Sequence, residues 1–375
     1  MVDERRTHRI EEELKFIPCS EAQRPEEAAT LRDGSLQMCG QYSPRTCGAP
    51  AHPTAIFGHI SAESRQSAAA PTPFARHKSR TSVRACSTWD AGSSIRLLPE
   101  GISVNSNPQA EQMADESMVR TLAAQAAAIW PQEQLLLYRY VLPERPRILD
   151  VGCGTGEISS RLALHYPEAS VVGVDILPQS VALAKRRYQS LGPRLSFQTG
   201  DAFALDFETD SFDLVVCRHL TQSVPRPERV LAELVRVCRP GGWIHVLSED
   251  YRMLHFEPRH ADIDKLWLEA TAGLSRTLDL DERIGRRTWS LLRERGLDSV
   301  WVDYVTVDTL RVPRDILAAI FTAWRDGYVS VIEQHGGLPP GEATVLFDRA
   351  IEATRDPSQY VVWQVPIVSG RKPPL

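Results

Sequence analysis

The chain has 375 residues, a hydrophobic content of 42% and a formal net charge of −5 at neutral pH. This composition is ordinary for a globular protein, and the acidic balance gives no electrostatic reason to expect nucleic acid as the main partner. No run of 18 apolar residues occurs, and the amino-terminal sequence is charged throughout. The sequence therefore predicts neither a membrane span nor a signal peptide, and we expect a cytoplasmic protein.

The first 112 residues show no sustained helical or strand period. They hold four of the seven cysteines, and the spacings of these cysteines and of the nearby histidines fit no zinc pattern. We expect residues 1–112 to be a disordered or non-native extension, with reduced thiols and no metal site. Helical periodicity begins at Met113, so our hypothesis is a working domain of residues 113–375.

Short apolar runs then alternate with segments of helical period. One such segment, PERVLAELVRVCRP, places Leu231, Leu234, Val235 and Cys238 on one helical face. The runs predicted as strands are residues 147–151, 171–174, 195–198, 212–217 and 243–247. Strands joined by crossover helices are parallel and buried on both faces, which accounts for their continuous apolar sequence. The pattern predicts a doubly wound α/β fold, in which ligands bind at the carboxyl ends of the strands.

A glycine-rich turn follows the first strand in the sequence RILDVGCGTGEIS, residues 147–159. Gly152, Gly154 and Gly156 permit positive φ and leave bare backbone that a ligand can approach. The third glycine comes one residue too early for the dinucleotide spacing G-x-G-x-x-G, where Glu157 stands instead, and this argues against NAD. Taken alone, the turn fits either a ligand-binding loop or a simple tight turn.

Acidic residues end the next two strands. Asp175 ends the second strand, where a carboxylate can accept hydrogen bonds from both hydroxyls of a ribose. Asp201 follows the third strand, where it can accept from the amine of an adenine. Either acid alone could be a solvated loop residue, and Asp150 could merely cap the glycine turn. Before the fifth strand, we expect residues 240–242, Pro-Gly-Gly, to end a helix and reverse the chain.

The chain resembles the class I S-adenosylmethionine-dependent methyltransferases over roughly residues 120–310. The resemblance rests on the combination of the motifs ILDVGCGTG, GDA, FDLVVC and RPGG with the acid that ends strand two. The resemblance implies a Rossmann-like, mostly parallel, seven-stranded sheet whose last two strands, around residues 299–307 and 360–368, form a hairpin. It also implies S-adenosyl-L-methionine as the cofactor.

The resemblance further implies roles for single residues in cofactor binding. The glycine turn would lie under the methionyl part of the cofactor, with Asp150 near its amine. Asp175 would bind the ribose, and Ile176 would pack on the adenine. The adenine edge would contact Asp201 and Ala202, and the backbone of Arg218 would line the pocket.

Methyl transfer by in-line displacement requires alignment of the acceptor, exclusion of water and, for some acceptors, a proton acceptor, but no metal. His219 is the first candidate base because a neutral imidazole accepts protons near neutral pH. Glu249, Tyr251 and His255 are further candidates. The alternative for His219 is a simple hydrogen bond to a loop, and Glu249 fits an exposed loop acid equally well.

Substrate choice is expected to depend on two helical insertions that form a lid, near residues 251–280 and 312–357. An apolar stripe in the second insertion, which includes Trp324 and Tyr328, either packs on the sheet domain or roofs a pocket for an apolar or aromatic acceptor. Our first interpretation is methylation of a small molecule, such as a quinone precursor or a secondary metabolite. A protein or RNA methyltransferase and a non-catalytic S-adenosylmethionine-binding regulator are the alternatives. The acceptor atom and the oligomeric state are left open.

Overall fold

The part of the chain that the computed structural model describes is residues 116–374. The predicted extension of residues 1–112 and the proposed start at Met113 lie outside these residues. The division of the chain at that point therefore stays a hypothesis.

A single mixed β-sheet organises the described residues. Its strands are β1 (Arg147–Val151), β2 (Ser170–Asp175), β3 (Leu195–Thr199), β4 (Phe212–Arg218), β5 (Cys238–Leu247), β6 (Leu254–Glu257), β7 (Asp298–Asp308) and β8 (Tyr360–Arg371). The first five coincide with the five strands predicted from the sequence. They pair in parallel in the order β3-β2-β1-β4-β5, as a doubly wound sheet requires.

The far side of the sheet is antiparallel. Strand β8 pairs antiparallel with β5 on one edge and with β7 on the other. Trp363 of β8 pairs with both Leu254 of β6 and Val307 of β7, so β6 lies on the same edge of β8 as β5. The predicted hairpin of the last two strands is therefore the β7–β8 pair. The short strand β6 makes eight strands rather than the seven expected.

Helices are α1 (Glu116–Leu137), α2 (Glu157–His165), α3 (Pro178–Arg187), α4 (Pro227–Val237), α5 (Thr271–Leu278), α6 (Ile284–Glu294), α7 (Arg314–His335) and α8 (Glu342–Arg355). None of the described helices combines the length and the apolar sequence that crossing a membrane requires.

Both faces of the sheet are covered by helices. In β4, Leu214 and Val216 belong to an apolar cluster with residues of α1, α2 and α3. Their neighbours Val215 and Cys217 belong to another cluster, with residues of α4 and α6. Successive strand residues point to opposite faces, so a strand covered on both faces must be apolar throughout. The fold class predicted from the sequence is confirmed by this arrangement.

The Pro-Gly-Gly segment does not reverse the chain, and that prediction was wrong. Helix α4 ends at Val237 and β5 begins at the next residue. Gly241 has a φ of 77°, and the β4–β5 register shifts between the pairs of Phe212 and Leu214. The N–H of Gly241 donates to the carbonyl of Lys372 at 2.8 Å. Because its backbone still forms a hydrogen bond to the neighbouring segment, Pro-Gly-Gly is an irregularity inside strand β5.

The two insertions form a third apolar cluster against β7 and β8. The first contains a 3₁₀ turn (Tyr251–Met253), β6, a π-helical turn (Leu266–Ala270) and α5, and the second contains α7 and α8. Trp324 of α7 lies edge-on to Trp267, with ring centroids 5.8 Å apart, and to Trp363 at 5.3 Å. The insertions are therefore packed onto the sheet as part of the core.

Candidate active site

The glycine turn between β1 and α2 has left-handed backbone at three positions. Gly152, Gly154 and Gly156 have φ values of 75°, 51° and 84°. The N–H groups of Gly152 and Cys153 donate to the carbonyl of Val174 at 2.8 and 3.0 Å, which ties the turn to β2. Residues with a side chain rarely adopt such φ values, so the turn needs glycine for its backbone alone.

Packing also excludes side chains from the glycine turn. A Cβ on Gly156 would lie 2.7 Å from Cζ of Phe197, and one on Gly154 would lie 2.6 Å from Cδ1 of Leu122. Phe197 belongs to β3 and Leu122 to α1. The bare turn therefore permits close packing of two neighbouring elements, in addition to the open approach for a ligand that the sequence suggested.

Asp175 ends β2 beside the glycine turn. Its Oδ2 accepts from the N–H of Gly154 at 2.8 Å, and its Oδ1 accepts from the N–H of Leu177 at 3.0 Å. Burial raises the pKa of this carboxyl, while the backbone N–H donors lower it. A carboxylate has about four acceptor positions, so each oxygen keeps capacity for a further donor.

A cavity that we call the strand-end pocket opens at the carboxyl ends of β1, β2, β3 and β4. It brings together most of the residues predicted to bind the cofactor, namely Gly152, Gly154, Asp175, Ile176, Asp201, Ala202 and Arg218, and also His219. The remaining residues of its wall are Leu122, Val151, Val174, Leu177, Ser180, Gly200, Phe203, Leu220 and Val224. This is the edge of a doubly wound sheet at which ligands bind.

Two predicted residues do not line the strand-end pocket. Gly156 directly precedes α2 and faces Phe197. Asp150 is buried, and its Oδ2 accepts from the hydroxyl of Ser159 at 2.6 Å. Burial raises the pKa of Asp150 to about 6, against the lowering effects of Ser159 and Arg218. In this structure Asp150 supports the start of α2, and contact with a cofactor amine stays a prediction.

His219 follows β4 directly and has a strained backbone, with a φ of 52°. Its N–H donates to the carbonyl of Leu247, which fixes the residue at the end of β5. Its Nδ1 lies 2.6 Å from Oε1 of Glu249, and both side chains are buried. No hydrogen-bond partner contacts Nε2 of His219. The structure thus forms a buried His–Glu pair whose outer ring nitrogen has no hydrogen-bond partner.

A second cavity, which we call the aromatic pocket, lies between the insertions. Its wall consists of Gln222, Tyr251, Leu266, Trp267, Thr271, Leu274, Ser275, Leu280, Glu282, Trp324, Tyr328, Ile332 and Phe347. Trp324 and Tyr328 are the two stripe residues for which the sequence left both a core role and a pocket role open. Both line the pocket and both pack in or against the apolar cluster of the insertions.

The other candidate bases have different surroundings. Tyr251 lines the aromatic pocket, and burial, followed by the charge of Glu249, raises the pKa of its hydroxyl well above the usual value. Glu249 is buried, so the alternative of an exposed loop acid was wrong. His255 is exposed on β6, lines neither pocket, and is not a candidate base in this structure.

Residues 148–242 match the family model described as a methyltransferase domain. This stretch, about a quarter of the chain, is a methyltransferase domain. The match confirms the resemblance drawn from the motifs and, with it, S-adenosyl-L-methionine as the cofactor.

Curated relatives match a stretch of similar length. A phthiotriol/phenolphthiotriol dimycocerosates methyltransferase of Mycobacterium leprae is 42% identical over 28% of this chain and 38% of its own length. A phosphatidylethanolamine N-methyltransferase of Cereibacter sphaeroides is 38% identical over 27% of this chain and 50% of its own. A demethylmenaquinone methyltransferase of Thermus thermophilus is 39% identical over 27% and 46%. The matched region thus spans half or less of these relatives.

Sequence reasoning missed several residues in and around the two pockets. Leu122 of α1 lines the strand-end pocket, whereas Gln222 and Trp267 line the aromatic pocket. Glu133 of α1 forms a buried ion pair with Arg218 at 3.0 Å. A buried glutamate inside a helix, in the middle of the apolar sequence AAAIWPQEQLLL, is a signal that could have marked Glu133.

Proposed function

We propose that this chain transfers the methyl group of S-adenosyl-L-methionine to a small acceptor of apolar or aromatic character, bound in the aromatic pocket. The observation that carries the proposal is the segment of residues 218–224, directly after β4. His219, Leu220 and Val224 line the strand-end pocket, while Gln222 lines the aromatic pocket. One short segment therefore contributes to both walls, as transfer between two adjacent sites requires.

The strand-end pocket suits the cofactor. Asp175 keeps acceptor capacity for the hydroxyls of a ribose, and Ile176, 39% exposed beside it, offers an apolar surface for an adenine. Asp201 and Ala202 would face the adenine edge, and the positive-φ backbone of Gly152 and Gly154 would lie beside the methionyl part. These residues line one continuous wall, which supports their joint role.

The bound cofactor would supply an already activated methyl group, so the protein needs to position the acceptor, exclude water and accept a proton. His219 is the proposed proton acceptor, because its buried Nε2 has no hydrogen-bond partner and its Nδ1 contacts Glu249. The Glu249 carboxylate, 2.6 Å from Nδ1, would fix the orientation of the ring. Tyr251, with its raised pKa, is suited to hydrogen bonding rather than to proton abstraction.

The names of the relatives support a small-molecule acceptor. They describe methylation of dimycocerosates, phosphatidylethanolamine and demethylmenaquinone, which are lipids and a quinone. The aromatic side chains of Tyr251, Trp267, Trp324, Tyr328 and Phe347 provide the apolar surface that such compounds need.

The test is incubation of the full chain with cell extract and methyl-labelled S-adenosyl-L-methionine, followed by separation of small molecules, protein and RNA. We expect the label in the small-molecule fraction, extractable into an organic solvent. Label in protein or RNA would overturn the acceptor class. Cofactor binding without any transfer would favour a non-catalytic regulator. The Asp175→Ala variant, treated in parallel, controls for transfer by other enzymes of the extract.

A further inference from the structure

Two residues of the aromatic pocket wall each carry a buried polar atom without a hydrogen-bond partner. These atoms are Oε1 of Gln222 and Nε1 of Trp267, on side chains whose residues are 7% and 4% exposed. Buried polar groups in native proteins are nearly always paired, because an unpaired group loses its contact with water and gains nothing in return. An acceptor oxygen and a donor N–H left unpaired in one pocket wall therefore indicate polar groups on a ligand.

Three other polar side chains of this wall already have partners. The hydroxyl of Ser275 donates to Glu282 at 2.7 Å, and that of Thr271 donates to the carbonyl of Trp267 at 2.7 Å. Glu282 also lies 3.8 Å from Arg252, outside the wall. No lysine, arginine or histidine is among the described residues of the wall, so the pocket offers no counter-charge for an anionic ligand.

The backbone fixes both unpaired groups. Trp267 lies in the π-helical turn Leu266–Ala270, a geometry that is rare and often found at functional sites. Gln222 lies in the 3₁₀ turn Thr221–Ser223, three residues after His219, and the hydroxyl of Thr221 is hydrogen-bonded to that of Ser248. Gln222 thus precedes the first insertion and Trp267 lies inside it, and both belong to ordered elements.

We propose that the acceptor is an uncharged aromatic molecule with two polar positions: a hydroxyl or N–H that donates to Oε1 of Gln222, and a carbonyl or ether oxygen that accepts from Nε1 of Trp267. This inference rests on the proposed function, since it assigns the aromatic pocket to the acceptor. The remaining wall, which is largely aromatic and aliphatic, binds the ring system.

Three naphthalenes of similar size test the two positions separately. We would measure binding of 2-naphthol, 2-acetylnaphthalene and 2-ethylnaphthalene to the full chain by calorimetry, with S-adenosylhomocysteine present at saturation. Both oxygenated probes are expected to bind roughly 3- to 10-fold more tightly than 2-ethylnaphthalene, the range of one net hydrogen bond. Equal affinities for the three probes, or binding of none of them, would overturn the proposal.

Two variants assign each hydrogen bond. Trp267→Phe removes the N–H and keeps an aromatic ring, so 2-acetylnaphthalene should lose its advantage over 2-ethylnaphthalene. Gln222→Met removes the amide at similar length, so 2-naphthol should lose its advantage while 2-acetylnaphthalene keeps it. Each comparison is a ratio of the affinities of two probes for the same variant. A loss of packing in that variant weakens both probes and therefore cancels in the ratio. Trp301→Phe, at a half-exposed residue of β7 that lines neither pocket, is the matched control and should keep all three affinities.

Failure of this inference is distinguishable from failure of the proposed function. If the chain binds S-adenosylhomocysteine and labels a small molecule, but the variants change no ratio, only the assignment of Gln222 and Trp267 is wrong. If the ratios change as expected while label enters protein or RNA, the pocket binds such aromatic molecules but methyl transfer to them is contradicted.

Discussion

Asp175 has two roles at the scale of single residues. It accepts hydrogen bonds from the backbone of Gly154 and Leu177, and it lines the strand-end pocket. Its position at the end of β2 could be predicted from the sequence, because an acid directly after an apolar run must lie at the strand's carboxyl end. The double hydrogen bond to the turn could not, because it depends on the path that the glycines take.

The Asp175→Ala variant should bind S-adenosylhomocysteine roughly 10- to 100-fold more weakly. A hydrogen bond to a charged group contributes about 1.5–3 kcal/mol, and the lost carboxylate also leaves two backbone N–H groups of the turn unpaired. Calorimetry measures the affinity, and thermal unfolding shows whether the variant is folded. Asp206→Ala, at an exposed residue outside the pocket, is the control. Wild-type affinity in the Asp175 variant would contradict the ribose assignment.

His219→Asn should lower kcat by roughly 10²- to 10⁴-fold, the usual contribution of a general base, and leave the affinity for the cofactor close to that of the wild type. Asparagine tolerates the left-handed backbone at this position, so the loop is expected to keep its conformation. Glu249→Gln retains the contact with Nδ1 but not the charge, and a smaller decrease in kcat is expected. Steady-state kinetics with the labelled acceptor gives kcat for both variants. An unchanged kcat for His219→Asn would exclude His219 as the general base.

At the scale of secondary-structure elements, the sequence predicted the helices and strands whose apolar residues recur with a strong period. The five parallel strands and the stripe of α7 follow from apolar patterns that local sequence carries by itself. Strand β6 has only four residues, Leu254–Glu257, which is too short for a reliable alternation signal. The role of Trp267 was also invisible, because its partners Phe321, Trp324 and Phe347 lie on helices distant in sequence.

Helix α7 both packs on the sheet and lines the aromatic pocket. Substitution of Tyr328 shows which of these two roles this residue has. Tyr328 is half-buried and lines the pocket, so Tyr328→Ala should raise the KM of the acceptor while the affinity for the cofactor stays within about twofold. Tyr328→Phe keeps the ring and should keep most of the binding. These values come from steady-state kinetics and calorimetry on the same preparations.

A purely structural role for Tyr328 gives another result. Loss of a packed aromatic ring costs about 3–5 kcal/mol of unfolding free energy, which lowers Tm and weakens both ligands together. Thermal unfolding of Tyr328→Ala therefore accompanies the kinetics. A large decrease in Tm without a selective effect on the acceptor would assign the residue to the core.

At the scale of the whole molecule, helix α1 connects to the catalytic sheet through buried charges. Oε2 of Glu133 pairs with Arg218 at 3.0 Å, and its Oε1 lies 3.0 Å from Nε2 of His245, whose Nδ1 contacts the hydroxyl of Tyr140 at 2.7 Å. The sequence could not reveal this network, because α1, β4 and β5 meet only in the fold. Helix α1, which places Leu122 at the glycine turn, is fixed through this network to Arg218, the residue before His219.

Glu133→Ala should therefore destabilise the protein by about 3–5 kcal/mol, because it leaves the buried guanidinium of Arg218 without its counter-charge. Burial alone would raise the pKa of Glu133, but Arg218 and His245 hold it below its usual value, so the carboxylate is charged at neutral pH. Urea unfolding at neutral pH measures the loss. The matched control is Arg120→Ala, which removes the exposed pair of the same helix with Asp326 and should cost no more than about 1 kcal/mol. If both variants lose the same small amount, the buried network does not anchor α1, and the position of Leu122 over the glycine turn must depend on the apolar packing of the helix.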